Sequence, residues 1–228
     1  ARADFLSTVS HELRTPLNAI NGITYLLLQE KPKASQLNYL KSLEFSGNYL
    51  LNFINDILEI NRLESDKIQV EKISFNLKEL IENITISFKE FIHENNTKCH
   101  LQIDSSISDY LKGDPTKLSQ IVINLLNNAI KFSKNGDVWF TIKNLYEDEK
   151  HIKLHFEIKD NGIGIPVSQR SLIFEKFQRV HQTTHAFKGF GLGLAYVKNM
   201  LELHKGNIQV KSEDKKGSCF EVYLPLST

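Results

Sequence analysis

The segment 10–17 places a histidine where it could take part in chemistry. Apolar residues recur around it every three to four positions, as in an amphipathic helix, and His11 falls away from the apolar stripe. Pro16 lacks an N–H, so we expect a kink that gives the imidazole room. Glu12 beside it could serve as a base or an orienting carboxylate, and Thr15 follows one turn later on the same face. A lone histidine of this kind is more often a solvated surface residue.

Four polar residues share one face of a helix predicted over 115–132: Gln120, Asn124, Asn128 and Lys131. Solvated helix faces usually carry Glu and Lys, whereas this one carries three amides and a lysine. Neutral amide oxygens suit Mg²⁺ beside a triphosphate, and a lysine can hold a phosphate. Helix capping or hydrogen bonding between helices explains the same stripe equally well.

A third candidate is a carboxylate at the end of a strand predicted over 151–160. The alternation of this segment places Asp160 on the apolar side, where a carboxylate needs a partner, and His155 on the polar side. Gly162 and Gly164 follow at once, and they permit backbone geometry and close ligand approach that a side chain would block. A turn with a capped aspartate is the alternative interpretation.

A second glycine cluster opens a helix predicted over 192–204. Glycines at a helix start expose N–H groups to an anion, and the helix dipole adds to the attraction. No strand directly precedes the cluster, so it is not a Rossmann-type dinucleotide motif. Its residues are Gly189, Gly191, Leu192, Gly193 and Leu194.

The residues before this cluster, 178–188, have little apolar periodicity and predict a mobile loop. Within it, Arg179 and Lys188 could bring positive charge to phosphates when the loop closes. A glycine cluster alone is weak support for a nucleotide site. Together with the amide stripe and the aspartate, however, one bound nucleotide explains all three features.

Composition restricts the class of protein further. The 228 residues allow one large or two small domains, with 41% hydrophobic and 24% charged residues. A net charge of +1 argues against a nucleic acid partner. Cys99 and Cys219 do not indicate a zinc site and are predicted to be reduced and partly buried. No segment reaches the roughly 20 apolar residues that span a bilayer. The uncapped helical start predicts a fragment of a longer polypeptide.

Helical patterning over 2–65 predicts two long helices joined at 29–35 and followed by a short connection at 66–70. The apolar stripe of the second helix is too broad for one hairpin to bury, so we expect two copies to pair as a four-helix bundle. From residue 71, strands mix with helices, which predicts an α/β sandwich. The fold class is therefore α+β, with two domains, 1–68 and 69–228. The remaining predicted elements are helices over 77–94, 115–132 and 192–204, and strands over 138–142, 151–160, 206–212 and 219–224.

Together these motifs closely resemble those of sensor histidine kinases of two-component systems, over essentially the whole chain. Residues 10–17 resemble the family's H box, 124–132 its N box, 160–164 its first glycine box, 174–177 its F box and 189–194 its second glycine box. All five occur in family order. The resemblance implies an antiparallel helical hairpin that dimerises and accepts phosphate, followed by a Bergerat-type ATP-binding domain.

The resemblance also implies roles for single residues. His11 would accept the γ-phosphoryl group of ATP, with Glu12 assisting proton removal, and pass it to an aspartate of a response-regulator receiver domain. Asn128 would hold Mg²⁺, and Asp160 would receive the adenine amino group. Thr15 matches a position that orients water when related kinases dephosphorylate their partner. Pattern and resemblance together place these further residues at the nucleotide: Asn124, Lys131, Gly162, Gly164, Arg179, Lys188, Gly189, Gly191, Leu192, Gly193 and Leu194.

One residue departs from the family pattern. Phe190 stands where many relatives have a small polar residue, which predicts an altered lid with nucleotide binding retained. The regular H box resembles that of hybrid kinases. Two alternatives stay open, a Bergerat-type ATPase clamp and a kinase-deficient or phosphatase-biased dimeric signalling scaffold. The family implies a cytoplasmic location for this segment, with membrane attachment only through segments upstream.

Overall fold

The computed structural model of the chain describes residues 2–64, 70–178 and 191–228. The chain forms two compact units, Ala1–Ile68 and Gln69–Thr228. The described residues of the first unit form two helices and the turn between them, whereas the second unit combines a sheet with helices. The predicted α+β class is therefore confirmed. The predicted connection at 66–70 lies almost wholly outside the described residues.

The first unit is a helical hairpin. Its helices are α1 (Arg2–Gln29) and α2 (Ala34–Glu64), so the turn falls where the sequence predicts it. α1 continues through Pro16, because a proline inside a long helix removes one hydrogen bond among many. Large apolar side chains remain exposed on both helices: Leu13, Ile20, Ile23, Tyr25, Leu26, Leu27, Tyr39, Leu43 and Leu50. A single hairpin thus leaves much of its apolar surface in solvent.

Polar side chains fix the register of the two helices. Arg14 Nη2 donates to Asn55 Oδ1 at 2.7 Å, and Asn21 Nδ2 donates to Asn48 Oδ1 at 2.8 Å. Gly47 lies directly against Asn21, because a Cβ at this glycine would be 1.8 Å from Asn21 Oδ1. A side chain at position 47 would therefore displace the Asn21 amide from its present place between the helices.

The second unit is built on a seven-stranded sheet in the order β1-β3-β7-β5-β4-β2, with β6 also paired to β7. The strands are β1 (Ile73–Asn76), β2 (Lys98–Ile103), β3 (Tyr110–Gly113), β4 (Asp137–Glu147), β5 (His151–Asp160), β6 (Asn207–Glu213) and β7 (Gly217–Ser227). β2 runs parallel to β4, and the other pairs are antiparallel. β7 is central, since it pairs with β5 along one edge and with both β6 and β3 along the other.

Helices pack against one face of this sheet. They are α3 (Leu77–Ser87), α4 (Lys89–Glu94), α5 (Pro115–Phe132) and α6 (Gly193–Leu203), with short 3-10 helices at Val167–Gln169 and Leu172–Phe174. Alternate residues of β4, β5 and β7 form the core with them, including Phe140, Leu154, Phe156 and Val222. Among the described helices, none combines the length and apolarity needed to cross a membrane.

The helix predicted over 77–94 is broken at Phe88, which separates α3 from α4. The hydroxyls of Thr85 and Ser87 donate to carbonyls of the preceding turn at 2.9 and 2.6 Å. Such bonds compete with the backbone ladder and favour a break. The strands β1, β2 and β3 are additions to the predicted set. Both cysteines are free and half-buried, as predicted.

Candidate functional site

His11 lies on the exposed side of α1, as the helical pattern predicts. Its side chain is 76% exposed and that of Glu12 is 78% exposed, and His11 Nδ1 lies 3.9 Å from Glu12 Oε1. Thr15 Oγ1 donates to the His11 carbonyl oxygen at 3.3 Å, so its hydroxyl lies on the same face one turn away. Because the imidazole is open to solvent, an electrophile can reach it.

Asp160 is buried at the end of β5, on the core side that the alternation predicts. Its Oδ1 accepts hydrogen bonds from the Gly162 N–H at 2.8 Å and the Ser218 N–H at 3.3 Å. Burial raises the pKa of Asp160 to about 6, although the two hydrogen bonds act in the opposite direction. Both of these hydrogen bonds end on Oδ1. Among the described residues none donates to Asp160 Oδ2, so this oxygen is available to a ligand.

The two glycines after Asp160 fit against the backbone of the protein itself. A Cβ on Gly162 would lie 2.0 Å from the Phe132 carbonyl oxygen. Gly164 adopts φ +69°, and a Cβ there would lie 1.9 Å from the Glu213 carbonyl oxygen. Both glycines therefore position the loop by close backbone contact, a structural role that accounts for their spacing without a ligand.

Ser212 of β6 and Gly217 at the start of β7 complete this loop, and no sequence motif singled them out. Gly217 adopts φ +97°, and a Cβ there would lie 2.0 Å from the Asp160 carbonyl oxygen. Ser212 Oγ accepts from the Ile165 N–H at 2.8 Å and donates to the Gly217 carbonyl oxygen at 2.8 Å. The available signal was Lys-Lys-Gly-Ser at 215–218, a turn sequence directly before a strand.

The amide stripe on α5 divides into two parts. Asn124 Nδ2 donates to the Gln120 carbonyl oxygen at 2.9 Å, and the Tyr196 hydroxyl of α6 donates to Gln120 Oε1. Gln120 and Asn124 thus make structural hydrogen bonds, which favours for these two residues the alternative interpretation of the stripe as structural. The Asn128 side chain is half-buried and makes no hydrogen bond among the described residues, so its amide is available. Lys131 is also half-buried and continues the stripe.

The start of α6 has the features of an anion site. Leu192 is its buried N-cap and provides no side-chain cap, and within the described residues no side chain accepts from the first N–H groups of the helix. A Cβ on Gly193 would lie 2.6 Å from Asn124 Oδ1, Gly191 adopts φ +70°, and Leu194 is half-buried. The other residues predicted for this region, Arg179, Lys188, Gly189 and Phe190, lie outside the described residues.

α5 brings these features into one region of the second unit. At its C-terminal end, the Phe132 carbonyl oxygen accepts from the Ile163 N–H of the loop after β5 at 3.2 Å. One turn before Asn128, Asn124 lies against Gly193 at the start of α6. Asn128 is therefore four residues from each contact, about 6 Å along the helix axis in either direction. A buried acceptor, an available amide and an uncapped helix start suit the base and phosphates of one nucleotide.

Two family models match the chain. The model of histidine kinase-, DNA gyrase B- and HSP90-like ATPases matches residues 113–228, and the model of the His Kinase A (phospho-acceptor) domain matches residues 1–66. The chain belongs to the histidine kinase family, and it carries the phospho-acceptor and ATP-binding domains of a histidine protein kinase. The resemblance stated from its motifs is thereby confirmed.

Individual relatives are longer than this chain. Hybrid signal transduction histidine kinase B of Dictyostelium discoideum is 32% identical over 226 residues, which cover 99% of this chain and 12% of that protein. Signal transduction histidine-protein kinase BarA of Escherichia coli K12 is 33% identical, covering 99% of this chain and 25% of that protein. The crystal structure of full-length ShkA in complex with AMPPNP matches with a TM-score of 0.81 at 31% identity, covering 99% of this chain and 46% of that one. The chain thus spans a quarter or less of these two curated relatives.

Proposed function

We propose that the chain phosphorylates itself on His11 from ATP and passes the phosphoryl group to an aspartate of a response-regulator receiver domain. The observation that carries this proposal is the exposed imidazole, with Glu12 3.9 Å away, on a phospho-acceptor hairpin in the same chain as an ATPase-family domain. Residues 1–68 would form the dimerisation and phosphotransfer domain, and 69–228 the ATP-binding domain.

In this proposal Asp160 and Asn128 bind opposite ends of the nucleotide. Ionised Asp160 accepts from the adenine amino group through Oδ2, and the Asn128 amide oxygen ligates Mg²⁺. A neutral amide oxygen fits this ion because it is a hard donor that does not repel the phosphates. When bound, Mg²⁺ neutralises charge on the transferred phosphoryl group. The N–H groups at the start of α6 receive a phosphate, and Lys131, Arg179 and Lys188 add positive charge.

Phosphoryl transfer needs in-line positioning and charge neutralisation more than covalent help from the protein. Glu12 lies on the Nδ1 side of His11. In the neutral ring with its proton on Nδ1, Nε2 carries the lone pair that attacks, and Glu12 takes the Nδ1 proton as the bond to phosphorus forms. The bond from Nε2 to the γ-phosphorus forms as the bond to the β–γ bridging oxygen breaks, and ADP leaves with the electron pair.

The proposal also includes dimerisation through the hairpin and phosphatase activity toward the receiver domain. The exposed apolar side chains of the hairpin, among them Leu13, Ile20 and Leu43, support pairing of two copies as a four-helix bundle. Thr15, whose hydroxyl lies on the His11 face, would position water for dephosphorylation of the receiver domain. Phosphatase activity would therefore depend on Thr15 while autophosphorylation would not.

The test is incorporation of label from γ-labelled ATP into the purified chain. His11→Gln should abolish acid-labile labelling and leave nucleotide affinity intact, because the nucleotide site lies on the second unit. His93→Gln is the matched control, since His93 is an exposed histidine on α4, and it should label normally. Labelling retained in His11→Gln would reject this acceptor. Steady phosphate release without phosphohistidine would favour the ATPase clamp.

A further inference from the structure

A cluster of titratable side chains lies on the sheet face that points away from α5 and α6, and the proposed function does not use it. The cluster consists of His155 and Glu157 on β5 and Glu221 on β7, with one ligand atom from each residue and all three atoms within 4.8 Å of one another. Glu157 and Glu221 are directly paired in the strand register. Two carboxylates this close repel each other unless a cation neutralises them.

His155 is the unusual member of the cluster. The alternation of β5 places it on the polar side, yet its side chain is 9% exposed, and its Nε2 has no hydrogen-bond partner among the described residues. This nitrogen lies 3.9 Å from Oε1 of Glu221, whose side chain is 8% exposed. The Tyr223 ring stacks on the imidazole with 4.8 Å between centroids and fixes its plane. A buried nitrogen without a partner costs free energy, so it calls for a ligand.

We propose that His155, Glu157 and Glu221 bind a divalent transition-metal ion, for which Zn²⁺ is the best match. One imidazole nitrogen and two carboxylate oxygens are three protein ligands of the kind that zinc accepts, with water in the fourth position. The imidazole favours zinc over Mg²⁺ and Ca²⁺, which prefer oxygen alone. Ligand atoms in a tetrahedral zinc site are about 3.4 Å apart, so the side chains need to close by about 1.4 Å at most.

The ammonium group of Lys211, on β6, lies beside the carboxylate of Glu221, one of the proposed ligands. Lys211 Nζ donates to Glu221 Oε1 at 2.9 Å and lies 2.8 Å from Oε2. In the described part of the chain no other lysine or arginine is within ion-pair distance of the cluster. The Lys211 side chain is 70% exposed, so it can turn into solvent when a divalent ion binds. The ion would then join β5 to β7, the central pair of the sheet, and stabilise the second unit.

The experiment titrates Zn²⁺ into the metal-stripped full chain by calorimetry, without nucleotide or Mg²⁺. We expect one saturable site, a rise of several degrees in Tm at saturating Zn²⁺, and no corresponding binding of Mg²⁺. His155→Gln and Glu221→Gln should each weaken the binding at least tenfold. Lys211→Met should tighten it, because the competing ammonium group is gone. His100→Gln is the matched control, since His100 Nε2 lies 2.7 Å from Asp137 in an exposed pair elsewhere on the sheet, and it should bind as the parent does.

Absence of a saturable site, or equal affinity in His155→Gln, would overturn the proposal. So would weaker binding in Lys211→Met. Circular dichroism melts without metal establish that each variant is folded. If His155→Gln and Glu221→Gln unfold the chain, two measurements still test the site. They are the Zn²⁺ affinity of Glu157→Gln and the spectrum of the Co²⁺-substituted parent. Visible absorption typical of four-coordinate cobalt is expected, and the weak spectrum of hydrated Co²⁺ would contradict the site.

Discussion

The two units hold their proposed functional residues in opposite ways. In the hairpin, His11 and Glu12 are more than three-quarters exposed and lie on a helix surface that the rest of the unit does not cover. In the second unit, Asp160 is 5% exposed, and Gly162 and Gly164 approach backbone carbonyls more closely than any side chain permits. A nucleophile that meets successive partners has to be reachable, whereas a nucleotide site has to be shaped by its surroundings. Substitutions at the hairpin residues should therefore change function without changing stability. Substitutions at the residues of the second unit should change both.

The largest effect on stability is expected at Gly164. Alanine there would combine a left-handed φ of +69° with a Cβ 1.9 Å from the Glu213 carbonyl oxygen. Gly164→Ala should lower the free energy of unfolding of the second unit by about 4 kcal/mol. The measurement is urea unfolding followed by Trp139 fluorescence, because this tryptophan of β4 is the single one in the chain. An unchanged midpoint would show that the backbone geometry at Gly164 does not contribute to the stability of the second unit.

Asn128→Asp should slow autophosphorylation roughly 100-fold, about 3 kcal/mol, because a carboxylate would repel the phosphates and alter Mg²⁺ placement. Asn127→Asp is the matched control, as Asn127 is exposed and adjacent on α5. Initial rates of label incorporation at fixed Mg²⁺ compare the two. Equal rates in both variants would remove Asn128 from the metal site.

Asp160→Asn should stabilise the second unit while weakening nucleotide binding. The folded pKa of about 6 exceeds the ordinary 3.8, so the folded state binds the proton more tightly and loses stability as pH rises from about 4 to about 6. The shift corresponds to about 3 kcal/mol, and the amide's weaker hydrogen bonds reduce the expected gain to about 2 kcal/mol at pH 8.

Urea unfolding of Asp160→Asn at pH 8 and pH 4 measures this effect, and the gain should vanish at pH 4. Asp109→Asn, at an exposed position, serves as the control and should change stability at neither pH. Adenine nucleotide affinity of the parent should fall as pH drops below about 6, because protonated Asp160 is a poorer acceptor. A pH-independent gain in the variant would show that burial of charge is not its cause.

The smallest effect is expected in the hairpin. A Cβ on Gly22, in the interior of α1, would meet nothing within 4 Å. Gly22→Ala should therefore stabilise the hairpin by about 1 kcal/mol through helix propensity alone, with autophosphorylation unchanged. Thermal melting followed by helical circular dichroism measures it. A loss of stability would mean that another surface packs closely against this glycine.

The elements that the sequence predicts well are long and one-sided. α1, α2, α5 and β5 each carry an apolar pattern over ten or more residues, which outweighs local irregularity. β1 and β3 have four residues each, too few for a period to be recognised. The break at Phe88 depends on two hydroxyls whose bonds the apolar pattern does not contain.

For the site, residue type and spacing predict which side chains are candidates, and the fold decides what each does. The exposure of His11 follows from helical periodicity, and the burial of Asp160 follows from strand periodicity. The division of the amide stripe does not, because it depends on Tyr196 approaching from α6. The burial of His155 depends in the same way on Tyr223, which comes from a distant strand. Such contacts between elements are invisible to any local pattern.

The position of β7 has a consequence for how the second unit assembles. This strand is synthesised after the other six, yet it is the one to which β3, β5 and β6 are bonded. A growing polypeptide therefore has unpaired strand edges in this region until residues 217–227 leave the ribosome, and such edges invite association with other chains. The hairpin is made of two helices that are consecutive in the chain, so its helices can form much earlier. Shortening the chain within β7 should thus yield insoluble protein rather than a smaller, active domain.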